Sequence, residues 1–202
     1  MEELSSKMRN QVRRSFKECD IRRVTPEEML REGYEVFRSA TEHYRVKAVT
    51  PTPAEYASRI ENGGADMEYW AAYAKDTGRM IAFCINKVFN SYCEYQTMKA
   101  VPEYQRSHYP YYGLIYEMNR HYLSERGLSF VNDGARSVTN HSNIQPFLIE
   151  KFKFRKAYCR LRIIYKWWLG LSVRLLYPFR RFIPVSGIVN LLNLEAMRRG
   201  EL

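Results

Sequence analysis

Apolar positions along this chain switch between two periods, one near 3.6 residues and one of 2, with turn residues at the switches. Cys19 to Val24 alternates and predicts an opening strand. Thr25-Pro26-Glu27-Glu28 then sets Thr at an N-cap, Pro at the first helical position and Glu at the third, and Thr52-Pro53-Ala54-Glu55 repeats the device. In each, the Thr hydroxyl can accept the third amide while the Glu carboxylate reaches back to the cap amide, so both predict helix starts. The first helix continues through Met29, Tyr34, Val36 and Phe37; the second stops at Asn62-Gly63-Gly64. Glu68 to Lys75 and Arg79 to Phe89 predict strands around a short loop at Asp76-Thr77-Gly78, and Asn90-Ser91 turns the chain into a third, Tyr92 to Val101. Pro110 precedes a helix over 111–126 with Leu114, Ile115, Met118, Tyr122 and Leu123 on one face and Gly127 past its end. A short strand, Leu128 to Asn132, follows. Ser142-Asn143-Ile144-Gln145 reads as a third capping box, opening a helix to Phe152, and Arg155 to Trp168 as a last strand-like run.

A helix crossing between two strands makes those strands parallel neighbours, so the order implies a mixed α+β domain: a central mixed sheet flanked by helices. The 202 residues suit one such domain, and 46% hydrophobic with 27% charged residues is ordinary globular composition. No internal repeat interrupts it.

Val101-Pro102-Glu103-Tyr104-Gln105, at the end of the Tyr/Thr-rich strand, resembles the start of the acyl-CoA signature of the GNAT N-acyltransferase superfamily. That family continues with a turn of the form Arg/Gln-x-x-Gly-x-Gly or Ala; here it reads Gln105-Arg106-Ser107-His108-Tyr109-Pro110, with His108 and Pro110 where glycines would stand. Glycine lets successive amides close around a pyrophosphate, and proline has no amide to give. Asn143 to Phe154 resembles the family's late helix, often N-x-x-A…Y-E-K-x-G-F: Glu150, Lys151, Phe152 and Phe154 match its end, Ile149 stands in place of a tyrosine, and Lys153 in place of a glycine. The resemblance covers roughly residues 19–165. It implies a basic segment over 1–18, a GNAT-like domain over 19–168 and a basic aromatic extension over 169–202.

The resemblance also implies N-acyl or aminoacyl transfer to an amine. The donor would be acyl-CoA or, because of the altered turn, an aminoacyl-tRNA as in the similar peptidoglycan aminoacyl transferases, or an acyl carrier protein. Backbone amides of Lys99, Ala100 and Val101 would hold the carbonyl; Gln105, Arg106, His108, Tyr109 and Asn143 would meet the donor. Arg106 and His108 could supply charge in place of lost amides. Glu94, alternating in phase with Met98, and Asp133, at a strand's carboxyl end, are the candidate bases. Each has a plain structural reading beside it, a solvated strand residue for Glu94 and an Asp-Gly turn for Asp133. The competing function is a non-catalytic GNAT-like scaffold.

Charge changes the picture at the tail. The net charge is +10, and residues 155–202 hold ten basic against two acidic side chains. From Tyr165 the chain reads Y-K-W-W-L-G-L-S-V-R-L-L-Y-P-F-R-R-F-I-P, which puts Trp167, Trp168, Leu171, Leu175 and Leu176 on a shared helical face. Such a segment suits either a membrane surface or a protein partner, a homodimer contact included; nucleic acid ranks behind them because no RNA-binding motif appears. It is too broken by charge and proline to span a bilayer. The four cysteines lack metal-ligand spacing, so no metal is expected. With a charged start from Met1 to Lys17, they are read as reduced thiols of a cytoplasmic protein, peripheral to a membrane if the tail binds one.

Overall fold

The computed structural model describes residues 4–42, 50–134, 144–158 and 160–201. They form two compact units, Met1–Ala135 and Arg136–Leu202.

The first unit opens with α1 (Ser6–Glu18), capped by Ser5, whose hydroxyl accepts the Met8 amide. Strand β1 (Cys19–Val24) leads into α2 (Pro26–Glu28), a π-helical turn over Met29–Gly33, and α3 (Tyr34–Glu42). After α4 (Pro53–Glu61) come β2 (Met67–Ala74), β3 (Met80–Val88) and β4 (Tyr92–Ala100). Then follow α5 (Pro102–Gln105), α6 (Pro110–Asn119) with a π-helical end over Arg120–Glu125, and β5 (Phe130–Asn132). Both capping boxes form as the sequence predicts: the Glu28 amide donates to Thr25 Oγ1 at 3.3 Å and the Thr25 amide to Glu28 Oε2 at 2.8 Å. At the second box the matching distances are 3.2 and 2.7 Å.

The sheet runs β1-β2-β3-β4-β5, antiparallel except for the parallel β4–β5 pair. Val24, Tyr69, Ala71, Tyr73 and Phe83 face Met29, Val36, Tyr56 and Ile60 of the helices after β1, forming the core on one side. On the other side α6 lies across β1, β2 and β3, and α1 packs on α6. Gly113 permits that approach: a Cβ there would stand 2.2 Å from Ile21 Cδ1 and 2.4 Å from Ser15 Oγ. From sequence, 1–18 reads as a basic segment, and α1 forms there all the same. Its apolar stripe is short, Met8 and Val12, yet both are buried.

Under α6 a polar network is sealed in. Trp70 Nε1 and Asn86 Nδ2 donate to the Tyr122 hydroxyl at 3.0 and 3.2 Å, and that hydroxyl donates to Glu68 Oε2 at 3.0 Å. Arg126 closes the chain on Glu68 Oε1 at 2.6 Å. Cys19, Cys84 and Cys93 are buried free thiols.

The second unit holds α7 (Ile144–Phe152), α8 (Trp167–Leu176), a 3-10 turn over Tyr177–Phe179 and α9 (Ser186–Arg199). Val173, Tyr177, Leu192 and Ala196 form its small core. The strand expected over Arg155 to Trp168 is corrected: its described residues up to Lys166 are in no strand or helix, and Trp167 already begins α8. Alternation specifies extended backbone, but a strand also needs an edge to pair with. Among the described residues this run has no ladder partner.

Candidate functional site

Among the described residues, strands β4 and β5 pair over three positions, Tyr92↔Phe130, Cys93↔Val131 and Glu94↔Asn132. Beyond Glu94, β4 runs on to Ala100 with its outer edge unpaired among the described residues. The Val101 amide donates to Ile81 O at 2.9 Å, so the antiparallel alternation turns Thr97, Lys99 and Val101 toward β3 and the amides of Met98 and Ala100 outward. Of the three backbone positions named from sequence, Ala100 thus offers its amide to the fork, while Lys99 and Val101 spend theirs on β3. Met98 was missed; only the ladder phase reveals it. An open strand edge of this kind accepts an extended ligand by main-chain hydrogen bonds.

A bulge sets which side chains surround that edge. The β3–β4 register changes from Ile85↔Thr97 to Asn86↔Tyr95, leaving Gln96 as the extra residue. Simple alternation would place Glu94 on the face of Met98. The bulge moves it instead to the face of Thr97 and Lys99, and the sequence expectation is corrected accordingly. On that face the Lys99 ammonium lies 4.9 Å from the Phe37 ring centre on α3. On the other, Tyr95 is buried and its hydroxyl donates to Asn119 Oδ1 at 2.8 Å.

The two carboxylates named from sequence both stand at the fork. Glu94 is half-buried on the last paired rung, 3.5 Å from Gln96 Nε2. Asp133 follows Asn132, the residue opposite Glu94, and alternation sends it to the opposite face. There it adds to the burial that pushes the Cys84 thiol up.

The turn from Val101 to Pro110 contains α5, one helical turn in place of an open glycine loop. Gln105 Nε2 donates to Ala100 O at 3.4 Å. The His108 amide donates to Tyr104 O at 2.9 Å, and Pro110 has none, so two of the donors a phosphate cradle would use are lost. Tyr109 takes the left-handed conformation at φ 51°, which costs roughly 1–2 kcal/mol for a non-glycine residue. The His108 ring turns inward: Nδ1 is 2.9 Å from Ser107 Oγ and Nε2 3.7 Å from Asp76 Oδ1. Arg106 is exposed.

Cationic side chains of α1 stand next to this turn. Lys7, Asn10, Gln11 and Arg14 recur at helical spacing and, with Tyr109, line a cleft of about 280 Å³. The Arg14 guanidinium is 5.3 Å from the Tyr109 ring centre, and no carboxylate pairs with Lys7 or Arg14 among the described residues. Sequence reasoning missed this stripe, although the i, i+4, i+7 spacing of Lys7, Gln11 and Arg14 could have shown it. Asn143 lies outside the described residues, and Ile149 is in α7 of the second unit. No group of three metal-ligating side chains occurs among the described residues.

No protein-family model matches the sequence, and no curated protein matches it. Solved structures do match in backbone. A ribosomal-protein-alanine N-acetyltransferase from Brucella melitensis superposes with a TM-score of 0.54 at 12% identity, over 73% of this chain and 99% of that one. The corresponding Escherichia coli enzyme gives 0.51 at 19% identity, over 69% and 79%. An aminoglycoside N-acetyltransferase solved with CoA gives 0.51 at 12% identity, over 73% and 93%. Identity this low leaves backbone architecture as the shared property, and that architecture is the GNAT N-acyltransferase fold.

Proposed function

We propose that the first unit is an N-acyltransferase that takes its acyl group from an acyl-CoA and delivers it to an amine. The observation that carries this reading is the parting of β4 from β5 after the Glu94↔Asn132 rung. It leaves outward amides at Met98 and Ala100 beside a half-buried carboxylate. The solved structures of similar backbone include CoA complexes of N-acetyltransferases, which supports the donor class.

The residues present fit such a donor unevenly. The open β4 edge suits the extended, amide-bearing arm of CoA. The turn is poor in amide donors and rich in cations, so Arg106, with Lys7 and Arg14 of α1, would meet the phosphates by charge. Bound there, an acyl-CoA would supply a thioester, an acyl group activated for attack by nitrogen. The Met98 and Ala100 amides stand roughly 7 Å apart along β4, so one of them polarises the carbonyl as negative charge develops on its oxygen while the other holds the extended arm. Glu94 takes the proton that the amine loses while the C–N bond forms; the C–S bond breaks with its electron pair on sulfur, and solvent protonates the departing CoA thiolate. Asp133, on the opposite face, is the second candidate for that proton.

Thermal unfolding of the full chain with acetyl-CoA, a long-chain acyl-CoA and free CoA tests the donor. A ligand at about 100 times its Kd adds roughly 2.7 kcal/mol, a clear rise in Tm. Arg106→Ala should weaken CoA binding about tenfold, as loss of one charge-assisted contact does. No shift with any of the three would overturn the CoA reading and leave an aminoacyl-tRNA, an acyl carrier protein or a scaffold role.

A further inference from the structure

The C-terminal unit presents one face that its own packing does not use. In α8 the inward side chains, Leu169 and Val173, join Tyr177, Leu192 and Ala196 in the small core shared with α9. That core is closed by a polar seal. Glu195 is buried, yet it accepts the Tyr165 hydroxyl at 3.0 Å, Arg198 Nε at 2.7 Å and Arg199 Nε at 2.8 Å. Arg180 and Arg199 then stack on the Tyr177 ring at 4.4 and 3.9 Å. The α8–α9 pair is therefore satisfied on its inner side.

The outer side is different. Trp168, Leu171, Leu175, Phe179 and Phe182 recur three or four residues apart through α8 and the turn after it, a continuous stripe at helical spacing. They are 51%, 55%, 64%, 60% and 84% exposed, and Trp167 beside them is 83% exposed. Scattered exposed apolar residues need no explanation, but a contiguous aromatic and aliphatic stripe of this length does.

Charge decides what covers it. Lys166, Arg174 and Arg181 flank the stripe, all exposed and none in an ion pair among the described residues. No Asp or Glu occurs anywhere between Glu150 and Glu195. A second copy of the chain meeting this face would set like charges against each other, which disfavours self-association. An anionic lipid surface matches every feature: leucines and phenylalanines for the acyl boundary, indoles for the headgroup level, and cations for the lipid phosphates. At 10 residues, α8 is about 15 Å long, fit to lie in the interface rather than cross it. None of the described helices is long and apolar enough to span a membrane.

We propose that the outer face of α8 and the following turn docks the protein on an anionic bilayer surface. The site is independent of the acyl-transfer reading and stands or falls by itself.

Co-sedimentation of the full chain with phosphatidylcholine vesicles, with and without phosphatidylglycerol, tests it, alongside tryptophan emission. Binding to the phosphatidylglycerol vesicles with a blue shift is the expected result. Trp70 is already buried, so the shift reports Trp167 and Trp168. The double variant Leu171→Glu/Leu175→Glu should lose binding with unchanged circular dichroism and Tm, because both side chains project from the surface. The triple variant Lys166→Gln/Arg174→Gln/Arg181→Gln should partition about two orders of magnitude less, each cation contributing a factor of several. Absence of binding to anionic vesicles overturns the proposal, as does equal binding by the Glu variant. A dimer that is seen in sedimentation velocity and abolished by the same Glu substitutions, without vesicle binding, would assign the face to a second copy instead.

Discussion

Glu94 and Asn132 form the last rung between β4 and β5, and the chain opens immediately beyond them. The carboxylate is thereby held by a paired backbone while the edge it borders is unpaired among the described residues. If Glu94 is the base, Glu94→Gln should lower kcat by about a hundredfold or more, the usual weight of general base catalysis. The amide keeps the shape and removes the proton acceptor, so KM for the donor should change little. A variant that retains more than half the wild-type kcat would transfer the role to Asp133 or to solvent.

Close packing of α6 on α1 and β1 rests on Gly113. A methyl group there meets Ser15 Oγ and Ile21 Cδ1 well inside contact distance. Gly113→Ala gains helix propensity, roughly 1 kcal/mol, but overpacks the site at a cost of about 1–3 kcal/mol, so the net change is destabilising. Urea unfolding reads the outcome. Stabilisation by Gly113→Ala would mean that α6 can shift outward at little cost.

The Tyr122 hydroxyl ties together Trp70, Asn86 and Glu68 beneath α6. Burial pushes its phenol well above the ordinary value, so it stays protonated and able to donate to Glu68. Tyr122→Phe keeps the ring and strips the partner from the Trp70 indole and from one of the Asn86 amide bonds. A buried donor left unpaired costs roughly 1–3 kcal/mol, and a loss of about 2 kcal/mol in unfolding free energy is expected. A change below about 0.5 kcal/mol would show that water enters and replaces the hydroxyl.

The elements carried by local chemistry were legible in the sequence. Thr25 and Thr52 announce their helices because cap, proline and glutamate act within four residues, and Asp76-Thr77-Gly78 announces its hairpin for the same reason. What escaped depends on partners far along the chain. Helix α1 carries few apolar side chains and looks like a solvated charge run until α6 is there to cover Met8 and Val12. The Gln96 bulge has no sequence signature, yet it decides the face on which Glu94 stands. Arg155 to Lys166 keeps a strand's alternation, yet its described residues are in no strand, because alternation alone does not supply a ladder partner. The candidate bases and the position of the turn could be named in advance, and the spacing of Lys7, Gln11 and Arg14 was there to be read; the Met98 amide was not, because only ladder phase turns it outward.

Glu195 ties α9 to Tyr165, just before α8, and accepts from Arg198 and Arg199 of its own helix; its response to acid follows from that. Hydrogen bonds from Arg198, with further ones from Arg199 and Tyr165, outweigh burial and hold its carboxyl down at about 2, against an ordinary value of 4.5. A carboxylate lowered in the folded state contributes stability above its ordinary pKa and loses it as the pH falls toward the lowered one. The α8–α9 pair should therefore weaken between about pH 4.5 and about pH 2. Hydrogen exchange at the α9 amides, followed from neutral pH down through that window and corrected for intrinsic rates, should show protection falling. In Glu195→Gln this acid-dependent loss should be largely absent, with lower protection already present at neutral pH because two guanidiniums lose their anionic partner. Equal acid sensitivity in both proteins would place the responsible group elsewhere.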